Sequence, residues 1–465
     1  MFMAAMEATV VATALPSVVA DLNGLELYGW VTAGYLLSMT VTIPLWGKLS
    51  DQWGRKPTLL TGLAAFLLGS MGCALSGAMP VLIGARVIQG IGAGALQPIG
   101  LTVIGDLFTL EERSRIQGLF GAVWGFAGIA GPLIGGLIVH SLSWHWVFWI
   151  NVAPCVLCAW LLLAFYAPER RQPLERHRFD VAGALLLTGA VLALLAGVSD
   201  FLPLLLLPLS AFLLLAFLRA EQRAAEPLLP LSLFRVPAIS GSSLCCALMG
   251  ASMMSLITYT PLFAQATRHV TPTEAGATIA PMLVGWPLAS AISGRILPRI
   301  GYRILVRGGL TVVGLASLAI CAVVAQDAPL GALRVTIFCF GVGMGLANTA
   351  LIIAVQQSVD FGERGVATAS TMFFRNVGGA VAVGALGVVL AHAVGPQVPA
   401  DVLRRVLGPE RGAGLDPALI ASTSEALSHA MLPIFIACAA LGVFVALTGW
   451  GFPQVSMEQA RPTRT

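Results

Sequence analysis

The sequence predicts an all-α integral membrane protein: two six-helix halves joined by an inserted two-helix hairpin. Three observations carry this. Of the 465 residues, 57% are hydrophobic and only 10% charged, too little charge to cover a soluble domain of this size. Apolar runs of about 20 residues, the length that crosses a bilayer as a helix, recur along the whole chain. A charged turn bounded by glycines, at 47–56, returns in altered form 247 residues later, at 294–303.

Taken in order, fourteen apolar segments lie at roughly 2–20, 28–49, 57–78, 80–107, 116–140, 146–167, 181–199, 201–218, 237–263, 274–294, 304–325, 330–356, 367–392 and 430–451. The net charge of +4 says less than its placement. With the 47–56 turn in the cytoplasm, 19 of the 26 Lys and Arg fall in or beside cytoplasmic loops. That asymmetry satisfies the positive-inside rule and puts both termini in the cytoplasm. Trp144, Trp146 and Trp149 gather at the outer end of segment 6, as an interfacial aromatic belt does. No small-residue cleavage site follows the first apolar run, so a signal peptide is not expected.

The 47–56 stretch reads Gly-Lys-Leu-Ser-Asp-Gln-Trp-Gly-Arg-Lys. Glycines at both ends let two helices approach closely and reverse direction. Asp51 has two uses open to it: accepting backbone N–H groups, or pairing with neighbouring bases such as Arg55 and Lys56. In the second copy Gly294 matches Gly47, Gly301 matches Gly54 and Arg303 matches Lys56, but Pro298 stands opposite Asp51. Gly90, Gly92 and Gly94 in segment 4 recur as Gly341, Gly343 and Gly345 in segment 12. Glu112-Arg113 recurs as Glu363-Arg364 at the same offset of 251. Segments 1–6 and 9–14 therefore read as parallel repeats about an axis along the membrane normal. The expected division is an N-terminal bundle at 1–167, a linker with segments 7 and 8 at 168–236, a C-terminal bundle at 237–451, and a cytoplasmic tail at 452–465.

Between Asp180 and Arg219 the sole ionisable residue is Asp200, so segments 7 and 8 read as a lipid-facing hairpin unable to hold a charged substrate. The polar stretch at 393–429 is external, with a short amphipathic interfacial helix at 401–407. All eight cysteines lie in apolar stretches, so no disulfides are expected. Cys155 and Cys158 are one helical turn apart, but no His or further Cys nearby completes a metal site.

An ionisable side chain inside a membrane helix costs about 2.5–3.5 kcal/mol on insertion scales, so each is a functional candidate. Glu7, in segment 1, has no base in its own segment, and a carboxyl buried among apolar neighbours favours its protonated form, as a proton carrier requires. Its bland reading is a carboxylate that reaches the headgroups. Arg86 in segment 4 must face a cavity, a carboxylate or backbone carbonyls; a packing clamp competes with a proton-relay or substrate role. Arg375 is the second half's one mid-helix charge, and the same two readings compete for it. Asp106, with Asp51, Arg55 and Arg113, reads as a cytoplasmic charge cluster that opens and closes with a gate. Small residues recur every three or four positions in segment 5 (Gly125, Gly128, Gly131, Gly135), permitting backbone contact between the halves, and Pro132 bends that helix. Ordinary tight packing is the plainer account of the same pattern.

These motifs together resemble the major facilitator superfamily and, within it, the fourteen-helix drug:proton antiporters. The 47–56 turn is similar to the family's loop signature between helices 2 and 3, and 86–94 to its helix 4 signature. Gly125, Gly128, Gly131, Pro132 and Gly135 resemble the helix 5 motif associated with antiporters. Residues 7–16 are similar to the helix 1 signature of the fourteen-helix group, and 144–151 to its helix 5–6 turn. Glu7 stands where Asp is usual, and His145 where Arg is usual, which makes that outer turn a candidate for pH sensitivity. The resemblance implies the major facilitator fold, alternating access, efflux and proton coupling.

The function expected is a secondary transporter of the bacterial cytoplasmic membrane, exporting amphipathic or cationic drugs in exchange for protons, and so conferring antibiotic resistance. Its central cavity is expected to hold Tyr35, Gln89, Gln97, Asn348, Gln356 and Arg375, isolated polar groups that suit broad recognition. No Gly-rich turn ends in Lys-Ser or Lys-Thr, which excludes an ATP-driven pump. Export of a lipid or self-made metabolite is the alternative within transport. A membrane enzyme or a non-transporting receptor are the alternatives outside it, and neither a Ser/His/Asp set nor a His-rich cluster supports the first. No cofactor, metal or nucleic acid is expected; the partners are the bilayer, a small-molecule substrate and protons, and the protein is expected to be a monomer.

Overall fold

The computed structural model describes residues 27–108, 134–166, 180–198, 202–268, 270, 272–394 and 417–454, with scattered positions between 6 and 22 and between 112 and 131. Its long helices are α1 (Tyr28–Trp53), α2 (Arg55–Ala74), α3 (Met79–Leu107), α4 (Val152–Phe165), α5 (Val181–Val198), α6 (Pro203–Arg223), α7 (Pro237–Arg268), α8 (Ala280–Ile300), α9 (Tyr302–Ala325), α10 (Leu330–Gln357), α11 (Arg364–Val394) and α12 (Pro417–Trp450). Helix is what an apolar chain adopts where no water is present to satisfy its backbone. Eleven helices among the described residues are long and apolar enough to cross a membrane. To these α1 adds 26 residues, richer in polar side chains such as Ser38, Thr40 and Thr42. The first and fifth apolar segments lie partly outside the described residues and are helical wherever described.

The 47–56 stretch corrects its sequence reading. Only Gly54 is turn: α1 runs unbroken to Trp53 and α2 starts at Arg55. Gly54 has φ +94°, a conformation that costs a residue with a Cβ. Gly301, its repeat counterpart, sits between α8 and α9 with φ +80°. Gly47 has a different task. It lies inside α1, where an added Cβ would come within 2.5 Å of the Ala369 Cβ of α11. It is a contact glycine, because the charged residues after it continue the helix instead of breaking it.

The glycine triads set the packing in both halves by the same pattern. A Cβ at Gly90 or Gly94 would overlap α1, at Ser38 and Thr42, while one at Gly92 would overlap the Phe66 backbone of α2. In the second half a Cβ at Gly341 or Gly345 would overlap the Met282 and Trp286 backbone of α8, and one at Gly343 would lie 2.7 Å from Gly309 O and Val313 N of α9. Each triad thus seats one helix against two neighbours at backbone contact.

The hairpin is only half as lipid-facing as its sequence implied. Ala184, Leu187, Val191 and Leu195 of α5 are buried in one cluster with Val41 and Ile43 of α1 and Val366, Met372 and Phe373 of α11. Helix α5 therefore covers the seam between α1 and α11. Helix α6 packs on its back, with Ser210 Oγ donating to Ala190 O at 2.8 Å, and turns Leu204, Leu205 and Phe212 outward. Hydropathy alone cannot distinguish these two environments, since both favour apolar side chains.

The glycine packing makes a checkable contrast within one helix. Gly84 of α3 has open space where a Cβ would stand. Gly84→Ala should leave the thermal unfolding midpoint in detergent unchanged or raise it, Ala being the better helix former by about 1 kcal/mol. Gly92→Ala should lower it, by overpacking of about 1–3 kcal/mol.

Candidate functional site

Three polar constellations stand out from the apolar interior. The first surrounds Glu7, which is 2% exposed. Arg86 of α3, buried to the same degree, donates from Nη1 to Glu7 Oε1 as an ion pair. Asn151 Nδ2 donates to the other carboxylate oxygen at 2.7 Å and to Ser70 Oγ at 3.0 Å. Gln89, one turn along from Arg86, accepts from its Nη1 at 2.7 Å and donates to Ser70 Oγ at 3.3 Å. Arg86 Nε donates to Val31 O at 3.2 Å, and its guanidinium lies 4.2 Å from the centre of the Tyr35 ring. Glu7 has no base in its own segment, yet it is not unpaired: the base comes from α3, whose Leu82 and Ala85 share one buried cluster with Met6, Val10 and Val11 of the first segment. Removing one partner of such a buried pair typically costs 3–5 kcal/mol.

The second constellation ties α1, α2 and α3 to α11. The Asp51 carboxylate accepts from the backbone N–H groups of Gly365 at 3.0 Å and Val366 at 2.8 Å, in the first turn of α11. It thereby caps the positive end of a helix dipole belonging to the other half. Asp51 also pairs with Arg55. Arg55 Nε donates to Asp106 Oδ2 at 2.9 Å and its Nη2 to Phe361 O at 3.1 Å. Arg364 Nη1 closes the chain, donating to Asp106 Oδ1 at 3.3 Å and to Gly105 O at 3.2 Å. Beside it Gln356 Nε2 donates to Leu101 O at 3.2 Å and Thr368 Oγ1 at 3.3 Å. Two acids and two bases alternate here; the Asp51, Arg55 and Asp106 side chains are buried and Arg364 partly so, and each needs the others.

The third is Arg375, half-buried on α11, whose Nη1 donates to Asn348 Oδ1 of α10 at 3.3 Å.

The sequence-selected residues thus divide. Glu7, Arg86, Tyr35 and Gln89 meet in the first constellation. Asp51, Arg55, Asp106, Gly47 and Gln356 meet in the second; Asn348 and Arg375 meet in the third. Gln97 is half-buried on α3. Gly54 forms the α1–α2 turn. Lys56 faces away from the seam cluster, donating from Nζ to Tyr166 O at 2.7 Å, past the C-terminus of α4. Arg113, Gly125, Gly128 and Pro132 lie outside the described residues, while Gly131 and Gly135 are buried. His145 stacks on Trp144, ring centres 3.7 Å apart. Sequence reasoning missed Asn151, Ser70, Arg364 and the α11 N-terminus. Arg364 was legible as the repeat of Arg113. Asn151 was legible as a lone amide at the foot of an apolar helix.

A membrane-embedded helical fold built from two repeated halves, latched across a seam at one end and carrying a buried ion pair, is the architecture of a secondary transporter. The model of the Major Facilitator Superfamily matches residues 1–383, and the chain belongs to that family. It is 36% identical over 401 residues to the multidrug transporter protein MdtP of Bacillus subtilis, covering 84% of this chain and 73% of that protein. Multidrug resistance protein 3 of the same organism is 33% identical over 396 residues, covering 83% and 77% respectively. Among solved structures, the proton:xylose symporter XylE superposes with a TM-score of 0.62 at 14% identity, over 97% of this chain and 94% of that one. The chain is therefore a multi-pass membrane transporter of small molecules, not an enzyme.

The latch should respond to loss of one charge. With the native cysteines replaced and a single thiol placed by Thr368→Cys, a position now 1% exposed, maleimide labelling should quicken roughly 10-fold in Asp51→Asn, equivalent to about 1.4 kcal/mol. Unchanged labelling means that Asp51 does not hold the seam.

Proposed function

We propose that this protein is a proton-coupled exporter of amphipathic drugs and other small molecules, working by alternating access in a bacterial cytoplasmic membrane. The observation that carries the reading is the Glu7–Arg86 ion pair, among the described residues the one place deep within the apolar interior where an acid and a base are held together. A proton delivered to Glu7 cancels the charge that holds Arg86, and Asn151 and Gln89 stand ready to rearrange around the freed guanidinium. Loss of the proton restores the pair. Because Arg86 and Asp106 share α3, a shift of that helix strains the seam latch at its other end.

In this reading the chain crosses the membrane fourteen times, as the drug:proton antiporters it resembles do. Bundles at 1–167 and 237–451 rock about the seam, with the hairpin of 168–236 between them and both termini in the cytoplasm. The latch then closes the cytoplasmic side, and the protein acts as a monomer. The antiporter assignment is supported by the drug-transport names of the relatives and by the buried glycines Gly131 and Gly135 in the fifth segment. The driving force is adequate: at about 150 mV one proton supplies roughly 3.5 kcal/mol, a few hundredfold gradient of a neutral solute.

Reconstituted in liposomes, the wild-type protein should release protons when substrate is added and should accumulate substrate against its gradient. Glu7→Gln should lose both and keep gradient-free substrate exchange. Normal coupling in Glu7→Gln removes Glu7 as the proton site.

A further inference from the structure

Arg375 sits on α11 eleven residues from Arg364, about 16 Å of helix rise from the latch and so deep in the apolar interior. Among the described residues no carboxylate lies within ion-pair distance of it. The sequence explains why: within the interior of the apolar segments the one acid is Glu7, and Glu7 is engaged by Arg86 and Asn151. Among the described residues Arg375 makes a single side-chain hydrogen bond, to Asn348 Oδ1 at 3.3 Å, which leaves most of its N–H donors unspent there. Its neighbour Asn376 has a buried Nδ2 with no hydrogen-bond partner among the described residues. The position is fixed from behind: a Cβ on Gly250 of α7 would lie 2.9 Å from Arg375 Cγ. On α10, Asn348 lies eight residues from Gln356, which reaches α3 across the seam.

A permanent cation with spare donors, next to an unsatisfied amide donor, lacks a counterion and acceptors. We infer that Arg375, with Asn376 beside it and Asn348 orienting it, binds an acidic oxygen of the transported molecule: a carboxylate, a phenolate or an enolate. A guanidinium matches a carboxylate through two parallel N–H···O bonds, and in a site sheltered from water this pairing is strong. This rests on the export reading above and narrows it: the substrates are amphipathic acids, and purely cationic compounds meet repulsion at the same depth. In this inference an acidic substrate takes the place of the expected cationic one, since the one acid in the interior of the apolar segments already holds an arginine.

A matched pair of probes tests this without relying on transport: 2-naphthoate and 2-naphthylmethylammonium, titrated by tryptophan fluorescence on the detergent-purified full chain. Wild-type protein should bind the anion at least roughly 10-fold more tightly than the cation. Arg375→Gln should reduce that preference to less than about twofold through weaker anion binding alone, and Arg375→Lys should retain part of it. Thermal unfolding of each variant identifies any that fail to fold, and Asn376→Ala, expected to weaken anion binding severalfold, then serves in place of Arg375→Gln. Cation binding equal to or tighter than anion binding overturns the inference. So does an anion preference that survives Arg375→Gln, or equal loss of both probes in a folded variant. Proton-driven flux of the anion in liposomes is read separately. Anion preference without proton-driven flux defeats the export reading and leaves the site standing.

Discussion

Hydrocarbon offers a charge no solvent, so every charge at depth must be answered by another group, of the protein or of what it binds. The Glu7–Arg86 pair is the interaction on which the rest of this structure turns. It exists because the first segment packs on α3, Met6, Val10 and Val11 sharing one buried cluster with Leu82 and Ala85, while Gly90, Gly92 and Gly94, lacking a Cβ, seat α3 against α1 and α2. Arg86 and Gln89 precede those glycines on the same helix. The packing motif supports the polar network: small residues bring α3 against α2, and the closeness lets Gln89 reach Ser70 beside the pair.

The two halves repeat the scaffold but not the charges. Gly301 reproduces the backbone of Gly54, and the second glycine triad reproduces the contacts of the first. Pro298 replaces Asp51, however, and among the described residues Arg375 has no acid to match Arg86's. The latch is accordingly one-sided. Asp51 reaches from α1 to the N-terminus of α11, and Arg364 answers by reaching Asp106 on α3. Such a contact holds well while dry, since both partners are desolvated, and weakens once water enters the seam.

Much of this was legible in the sequence, for identifiable reasons. Segment lengths follow from bilayer thickness, which left the helix assignments little freedom. The glycine repeats gave the parallel halves, and buried charge singled out Glu7, Arg86, Asp51, Arg55 and Asp106. What stayed hidden was pairing between distant segments. No periodicity within 47–56 says that Asp51 will cap a helix more than 300 residues away, or that Gly47 will meet Ala369. Lys56 and Arg55 look alike in sequence, yet one reaches a carbonyl just beyond the end of α4 and the other the seam. For the hairpin, apolar character was legible and environment only in part: α6 turns outward as its sequence implies, whereas α5 covers the seam, and a seam and a lipid face select the same side chains.

The central claim is that the protonation of one buried carboxyl breaks one ion pair and thereby frees the transporter to change state. Infrared difference spectroscopy of the reconstituted protein through a pH jump observes that carboxyl directly. A protonated-carboxyl stretch should appear on acidification, reverse on return, and be absent from Glu7→Gln. If the spectrum of Glu7→Gln matches that of the wild type across the whole pH range, the proton is carried elsewhere and the claim fails.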